Sequence, residues 1–339
     1  MQGHGVARYV GKRLLVTIPQ VFIITILVWF LIRALPADPV SRLIGLFASD
    51  EAYAQAERSL GLDQPILLQF GEFLRGMVRG DLGQSWVSRD SVTVELIRNF
   101  PVTLQLLLMS FGIALVIAVP LGMATAVKPN GFFDRGVFVY GMFAGAQPEF
   151  WWGLMFSFLF AYQLGIFPAP IGLSSSVMAD VPVITGMPLF DALVTFNGGP
   201  AWTVLVYYLL PSFTLAFVLT GPIVKMIRQN VTRVLDSDFV LYARAAGLTR
   251  RQIVGYTLRN ALAPVITLVG ILFGFMLGGA VLIEVVFSLN GLGQYAVQRT
   301  LSLDFPAIQG VVLLMTSFSL FVYLVMDLLY AVVDPRIRY

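Results

Sequence analysis

The chain has 339 residues, of which 58% are hydrophobic and 12% are charged, with a formal net charge of +3 and no cysteine. Soluble domains carry about 25% charged residues, so much of this chain is predicted to lie in lipid. Without cysteine, and with His4 as the only histidine, disulfides, thiol nucleophiles, zinc–thiolate sites and histidine-based triads are excluded. The small net charge does not indicate a nucleic-acid partner.

Six stretches are long and apolar enough to cross a membrane as helices, which takes about 20 residues. They are residues 10–35, 102–127, 136–164, 202–224, 262–287 and 306–333. The first is too long for the apolar region of a signal peptide, and no small-residue cleavage site follows it, so we expect a retained helix. The fold class expected is an all-α membrane protein with six transmembrane helices.

The Lys and Arg residues predict the orientation of these helices, because short cytoplasmic loops carry an excess of positive charge. With the N-terminus inside, 14 of the 22 Lys and Arg residues fall in cytoplasmic segments. The predicted outer loop 165–201 has none, and the loop 288–305 has only Arg299. Both termini are therefore expected in the cytoplasm.

These spans predict three regions. They are an N-terminal cytoplasmic segment with the first helix at 1–35, a small extracytoplasmic domain at 36–101, and a five-helix core at 102–339. In the small domain, Ser49 or Asp50 can cap a helix that Gly61 ends, and a second amphipathic helix follows. The domain is either a lid packed on the bundle or a docking surface for a soluble partner. The loop 165–201 is expected to be irregular, with one short helix near 189–194.

The third predicted span contains a carboxylate, Glu149, directly after Pro148. Ionisable groups deep in a membrane are rare and mark substrate or ion pathways. Glu149 can bind a proton or a peptide amine, or it can form a local hydrogen bond at a proline kink, and the sequence leaves both open. Glu284 and Asp327 are expected near span ends, within reach of water or headgroups.

The basic segment between the fourth and fifth spans, residues 225–261, is predicted to form a helix, a glycine turn and a second helix. Residues 236–238 are good N-caps, and Gly247 can supply the left-handed conformation that ends a helix. Thr249 and Gln252 have the spacing of a capping box. Such an element can lie on anionic lipid or insert into a groove of another protein, and the pattern alone leaves both open.

The fifth span carries Gly270, Gly274 and Gly278 at four-residue spacing. Small residues on one face let helices approach closely. They either pack inside this subunit or line a seam with a second membrane protein and a translocation path. In the second case, Phe273 and Met276 would form an apolar gate.

Nine short motifs are spread along the chain. They are LPADP at 35–39, GLDQP at 61–65, GDLGQS at 80–85, PEFWWG at 148–153, RAAGL at 244–248, LRNALAP at 258–264, EVVFSLNGLG at 284–293, DFPAIQG at 304–310 and DLLYAVVDPRIR at 327–338. In this order and spacing they resemble the permease subunits of the dipeptide, oligopeptide and nickel family of ABC importers. Asn290 stands where the family usually has proline, Tyr323 where it usually has asparagine, and Leu241 where related permeases have glutamate.

The resemblance implies a type I ABC importer permease with a small extracytoplasmic domain between helices 1 and 2. It implies a homologous permease partner, two cytoplasmic ABC ATPases, an extracytoplasmic substrate-binding protein and contact with membrane lipid. The location implied is a bacterial or archaeal cytoplasmic membrane. The chain itself would bind no cofactor, since ATP and Mg would bind to the partner ATPases.

The resemblance also identifies candidate sites. The segment that couples to an ATPase would comprise Asp238, Tyr242, Ala243, Arg244, Ala246, Gly247, Leu248 and Thr249. The deep carboxylate and the glycine-bearing face of the fifth span predict, from the residues themselves, a translocation path with Glu149, Phe273, Gly274 and Met276. Peptides are the leading cargo, and nickel chelates, glutathione or oligosaccharides are the alternatives.

Other function classes are weaker. The chain has no G-x-x-x-x-G-K-[ST] loop, so it is not expected to hydrolyse ATP itself. An ion-gradient-driven secondary transporter that uses Glu149 remains an alternative, although no inverted repeat is apparent. A membrane enzyme would need a nucleophile with a positioned base, and the only lysine within a predicted span is Lys12, at the very start of the first one.

Overall fold

The computed structural model describes residues 3–34, 36–45, 47–173, 179–196 and 198–333. Over these residues the chain is helical, which confirms the all-α class, and one isolated bridge between Gln84 and Ser91 is the sole β-type pairing there. Five of the described helices contain segments long and apolar enough to cross a membrane. These segments are Leu15–Arg33, Val92–Val127, Gly198–Leu235, Thr267–Phe287 and Phe305–Leu329.

The helices follow one another with short connections. In chain order they are α1 (Gly3–Arg33), α2 (Pro39–Ile44), α3 (Asp50–Ser59), α4 (Ile66–Val78), α5 (Val92–Val127), α6 (Phe132–Ala144), α7 (Glu149–Phe156), α8 (Pro188–Val194), α9 (Gly198–Leu235), α10 (Asp238–Ala245), α11 (Arg250–Phe287), α12 (Leu292–Leu301) and α13 (Phe305–Val333). A π-helical turn, Ser157–Gln163, continues α7. The helix α9 packs against α5 and α11, and α1 packs against α13.

The third predicted span is a broken helix. The helix α6 ends at Ala144, and α7 starts after Pro148, which occupies its N-cap position. Proline suits a helix start because its missing N–H has no partner to lose there. The indole Nε1 of Trp152 donates to the carbonyl of Ala144 at 3.1 Å, so one of the carbonyls that the break leaves without a helical partner is satisfied.

The broken segment nevertheless runs along most of α9. Near its start Asp134 pairs with Arg228, and beyond its end Pro168 lines a small cavity together with Tyr207. Residues 207 and 228 are separated by about 32 Å along a helix, which is close to the thickness of a bilayer core. The geometry is consistent with a sixth crossing.

Successive crossings give the bundle two ends. We call the end with residues 128–131 and 236–249 the loop side. The other end is the domain side, with residues 36–45, 47–91, 164–173, 179–196 and 288–304. Long helices extend past the predicted boundaries. The helix α5 starts at Val92 rather than near 102, and α9 and α11 leave only 236–249 of the predicted basic segment between them.

On the domain side, the small domain comprises α2 to α4 and the loop to residue 91. Ser49 caps α3, accepting the N–H of Ala52 at 3.3 Å. Trp86 of the loop packs in one apolar cluster with Ile32 of α1 and Phe305 of α13, so the domain is packed onto the bundle. The short helix predicted near 189–194 is confirmed as α8.

The core lies between α5, α9 and α11. Leu106, Tyr208, Ile223 and Met276 are among its fully buried side chains. Small residues allow the close approach of helices that lipid-embedded bundles need. A Cβ placed on Gly122 of α5, for example, would lie only 2.7 Å from the Ile227 side chain of α9.

Candidate functional site

The helix α10 on the loop side is docked onto the start of α11. Val240 and Ala243 are buried and share a small apolar cluster with Ile253. These two residues are three apart, so they lie on one face of α10. Because this face is covered by the chain itself, the opposite face is the one that α10 presents to solvent or to another protein.

A glycine turn joins α10 to α11. Gly247 has a φ of +76°, a conformation that residues with a Cβ rarely adopt. The N–H of Leu248 donates to the carbonyl of Ala243 at 3.1 Å. Thr249 then caps α11, and its side chain and that of Gln252 form the capping box that the sequence predicts. The helix–turn–helix geometry of this segment is therefore as predicted.

The outer face of α10 is apolar and open. Leu241 and Tyr242, on the side of α10 away from Val240 and Ala243, expose 65 and 75% of their surface. Phe239 is 49% exposed, but its ring lies 6.3 Å from that of Tyr256 in α11. Large exposed apolar side chains in a group indicate a contact surface for another molecule. Leu241 is an addition to the predicted site, and its place beside Tyr242, on the side of the helix opposite the buried Val240 and Ala243, is the signal that would have found it.

The predicted coupling residues divide by exposure. Those that are exposed are Asp238, Tyr242, Arg244, Ala246, Gly247 and Thr249. Leu248 is half-buried and Ala243 is buried. Ala243 packs with Ile253 of α11 in the same chain.

Glu149 begins α7 at the break in the third predicted span. Its carboxylate lies against the backbone of α11, since a Cβ on Gly279 would be 3.3 Å from its Cδ. The side chain is half-buried and forms no hydrogen bond or ion pair with the other described residues. One of the two predicted roles of Glu149 is a local hydrogen bond at a kink. The described contacts include no such hydrogen bond.

The other three predicted path residues lie inside the subunit. Phe273 packs against Phe111 and Phe318, and Met276 is fully buried. A Cβ on Gly274 would clash with the hydroxyl of Tyr323 in α13. The glycine spacing has two explanations, and these contacts correspond to the first, packing inside the subunit. A role of these residues in a translocation path remains a prediction.

A different face of α11 is open. Ile271, Phe275, Gly278 and Leu282 are exposed, and their spacing of three or four residues places them along one stripe of the helix. Gly279, which contacts Glu149, borders this stripe. The half-buried carboxylate and the apolar stripe therefore lie side by side on a surface that no described part of the chain covers.

Two family models together match nearly all of the chain. The model described as "Binding-protein-dependent transport system inner membrane component" matches residues 118–339. The one described as "Binding-prot-dependent transport system membrane comp, N-term" matches residues 6–107. The chain belongs to this family. It is a multi-pass protein of the inner membrane, and the resemblance that its motifs indicate is confirmed.

Similar proteins cover the permease from end to end. The dipeptide transport system permease protein DppB of Escherichia coli K12 is 35% identical over 98% of this chain and 99% of its own length. The di/tripeptide transport system permease protein DppB of Pseudomonas aeruginosa UCBPP-PA14 is 34% identical over 98% of each chain. The probable D,D-dipeptide permease DdpB of E. coli K12 is 38% identical over 96% of this chain and 94% of its own.

Two of the permease motifs meet on the domain side. The carboxylate of Asp304, from DFPAIQG, is fully buried and accepts hydrogen bonds from the hydroxyl of Ser85 and the backbone N–H of Trp86. Ser85 ends the GDLGQS motif. This contact ties the small domain to the start of α13, and it explains why the two motifs contain a serine and an aspartate.

A second buried carboxylate joins α5 to α12. Glu95 accepts from Arg299 at 2.6 Å and from the hydroxyl of Tyr295 at 2.7 Å, and the guanidinium of Arg299 also lies 4.9 Å above the Tyr295 ring. Burial and the neighbouring Glu95 raise the pKa of Tyr295 above its usual range. Arg299 is thus a structural cation. No group of three or more His, Asp or Glu in the described part of the chain could hold a metal ion.

Glu284 was expected within reach of water, and this expectation is wrong. It is fully buried, accepts from the hydroxyl of Thr103 and from the N–H of Gln294, and so caps the first turn of α12. The carboxylate suits the positive end of a helix. Gly291 and Gly293 leave it room, since a Cβ on Gly291 would lie 2.6 Å from it.

The loop before α8 is ordered by a fourth carboxylate, Asp191. It accepts backbone N–H groups of Ile184, Thr185 and Gly186 at 2.9–3.1 Å and the Thr185 hydroxyl at 2.7 Å. Burial alone would raise the pKa of Asp191, but these hydrogen bonds hold it below its usual range. This part of the predicted connector is therefore built around a buried anion.

Proposed function

We propose that the chain is the transmembrane permease subunit of an ATP-driven importer of peptides. The observation that carries the proposal is the identity of 34–38% to di- and tripeptide permeases over nearly the whole length of each chain. In this proposal the chain forms half of a translocation path with a homologous permease. A soluble binding protein delivers the peptide on the domain side, and two ATPases act on the loop side.

Energy coupling is assigned to α10. The chain has no phosphate-binding loop of its own, so it must receive energy through a contact. The exposed apolar face of α10, with Leu241 and Tyr242, suits insertion into a groove of an ATPase subunit. The turn at Gly247 and the capping box fix the angle between α10 and α11, so a displacement of α10 is transmitted to a membrane-spanning helix.

The path is assigned to the open surface beside Glu149. A carboxylate without a partner at membrane depth is costly unless it faces water, a cation or a ligand. The α-amine of a peptide is such a cation. The stripe of α11 with Phe275 would then face the partner permease across the path, while Phe273, Gly274 and Met276 would reach it only after α11 and α13 move apart.

The orientation in this proposal places the loop side and both termini in the cytoplasm. The excess of Lys and Arg on that side supports it. The chain has no cysteine, so a single introduced cysteine can be labelled without background. An impermeant maleimide should label Leu67→Cys in intact cells and should reach Leu241→Cys only after the membrane is opened. The reverse pattern would overturn the orientation.

The test of the function combines uptake and copurification in the native host. Deleting the gene should abolish uptake of a labelled dipeptide, and arsenate, which depletes ATP, should stop uptake in the native strain while a protonophore has little immediate effect. The opposite sensitivity would favour the ion-gradient transporter. An ATPase subunit and a second permease should copurify with the tagged chain in mild detergent.

A matched pair of variants tests the role of α10. Leu241→Asp should remove the ATPase subunits from the purified complex. Leu67→Asp introduces the same charge at a leucine of similar exposure, 72% against 65%, but on the domain side, and should retain them. Equal ATPase content in both variants would exclude α10 as the coupling contact.

The seam with the partner permease is tested by cross-linking. A cysteine in place of Phe275, which is 72% exposed, should form disulfides with cysteines of the partner permease. A cysteine in place of Phe273, two residues away but 6% exposed, is the control. If Phe275→Cys forms no cross-link at any stage of the transport cycle, the stripe does not face the partner.

A further inference from the structure

A cavity with a volume of about 680 Å³ lies between α6 and α9 on the loop side. It belongs neither to α10 nor to the surface beside Glu149. One wall is formed by α6, with Val137, Phe138 and Met142, and the other by α9, with Val218 and Pro222. These walls are apolar. We call this cavity the α6–α9 cleft.

The cleft has the depth of one bilayer leaflet. It reaches from Arg135 to Gly145, ten residues farther along, which corresponds to about 15 Å of helix. This is half of the thickness of a bilayer core, about 30 Å. The two helices come together at the glycines, where a Cβ on Gly221 would lie 3.2 Å from the Cα of Gly141. The floor of the cleft is therefore backbone, which leaves the space above it free.

The polar residues of the cleft are at its loop-side end, and three of the six are cationic. Arg135, Lys225 and Arg228 line this end. Asp134 pairs with Arg228 at 2.7 Å and neutralises it. Arg135 and Lys225 are exposed and have no carboxylate partner among the described residues, so two positive charges remain at the depth where headgroups lie.

We propose that the α6–α9 cleft binds one acidic phospholipid, with its phosphate between Arg135 and Lys225 and an acyl chain along Val137, Met142 and Val218. The two parts of a phospholipid match the two parts of the cleft. Basic pockets between membrane helices bind acidic headgroups, and the apolar walls suit an acyl chain. A helix of a related permease fits less well. Its own excess of Lys and Arg on the same side would be repelled by the two cations. The inference does not rest on the proposed transport function.

The experiment measures lipid binding to the purified complex. Native mass spectrometry compares dioleoyl-phosphatidylglycerol with dioleoyl-phosphatidylethanolamine, which has the same acyl chains but no net charge. Since each basic residue contributes about 1 kcal/mol to binding acidic lipid, we expect about a fivefold loss of phosphatidylglycerol affinity for Arg135→Gln or Lys225→Gln and about a thirtyfold loss for the double variant. Phosphatidylethanolamine binding should not change.

Two control variants separate this site from general attraction to a basic surface. Lys128→Gln and Arg233→Gln remove exposed cations on the same side that do not line the cleft, and together they should change the affinity less than twofold. If the control pair lowers the affinity as much as the cleft pair, or if neither pair lowers it, the proposal is wrong.

The position of the lipid is tested with phosphatidylglycerol that carries a photoreactive group on its acyl chain. Adducts should map to residues 132–145 or 218–229, and the double variant should lose them. If adducts form only elsewhere, the proposal is overturned. It is also overturned if a cysteine in place of Phe138 forms a disulfide with the partner permease in every state, because a protein helix would then fill the cleft.

Discussion

Replacing Gly247 by alanine should weaken the docking of α10 through the backbone alone. Nothing lies within 4 Å of the position that a Cβ would take, but the φ of +76° is one that alanine adopts only under strain. The left-handed conformation costs a residue with a Cβ about 1–2 kcal/mol. Gly255→Ala is the matched control, since Gly255 is helical, equally uncrowded and eight residues away in α11. There alanine should stabilise the helix by about 0.5–1 kcal/mol.

The strain at residue 247 acts on a small apolar contact. Only Val240, Ala243 and Ile253 are buried in the cluster that holds α10 on α11. Undocking α10 relieves the strained turn, so a penalty of about 1–2 kcal/mol shifts the docking equilibrium by about five- to thirtyfold towards the undocked state. The long helices do not share this penalty, because their packing lies elsewhere.

Hydrogen exchange followed by mass spectrometry measures this directly. Peptides that cover 238–246 should exchange about five- to thirtyfold faster in Gly247→Ala, while peptides from α5 and α9 keep their native rates. In Gly255→Ala the same peptides should exchange no faster than in the native chain. Equal rates in Gly247→Ala and the native chain would refute the reasoning. So would acceleration in α5 and α9, which would indicate global destabilisation.

Three further predictions concern the domain side. Asp304→Ala leaves the Ser85 hydroxyl and the N–H of Trp86 without their acceptor and removes the carboxylate that lies 3.8 Å from the guanidinium of Arg299. It should therefore destabilise the protein by about 3 kcal/mol, visible as a lower midpoint of thermal unfolding in detergent. An unchanged midpoint would show that the contact is dispensable. Thr103→Val removes the hydroxyl that donates to Glu284 and should cost about 1–3 kcal/mol in the same assay, whereas an effect below 0.5 kcal/mol would contradict a structural role. The pKa of Asp191 is lowered in the folded state. Its contribution to stability is therefore present above its unfolded pKa of about 3.9 and is lost as the pH falls through the folded pKa. Proteolysis of the segment before α8 should accelerate in acid, and the Asp191→Asn variant should be cleaved readily at pH 7; resistance of this variant to cleavage would contradict the role of Asp191.

Much of the local structure could be predicted because its signals lie within a few residues. The Thr249–Gln252 capping box is a four-residue pattern, and the Gly247 turn is a one-residue pattern. The Ser49 cap and the short helix α8 are of the same kind. Five of the predicted spans could likewise be read from runs of apolar residues, because the length of such a run depends only on the thickness of the bilayer.

The broken third span shows where this reasoning ends. Pro148 predicts a disturbance within an apolar run, but a kinked helix and a broken helix have the same sequence signal. The break is stabilised by the indole of Trp152 bonding to the carbonyl of Ala144. Neither the position of this contact nor the place of Glu149 against Gly279 follows from helical periodicity.

Three of the buried carboxylates, Glu95, Glu284 and Asp304, could not be predicted, because they bind partners that are far along the chain. Asp304 and Ser85 are 219 residues apart, and Glu284 and Thr103 are 181 apart. Glu284 lies near the end of an apolar run, so its sequence position indicates contact with water. The two glycines that enclose it carry the only local signal, and glycine has many other uses.

The contact between Ser85 and Asp304 also sets an order of events during synthesis of the chain. Ribosomes add about 5–20 residues per second. Asp304 is therefore synthesised about 10–45 s after Ser85 and Trp86, which donate hydrogen bonds to it. The delay between the synthesis of Glu95 and that of its partner Arg299 is nearly as long. Until the last crossing is inserted, polar groups on the domain side lack their hydrogen-bond partners. A membrane protease or chaperone can recognise an incomplete chain by these exposed groups.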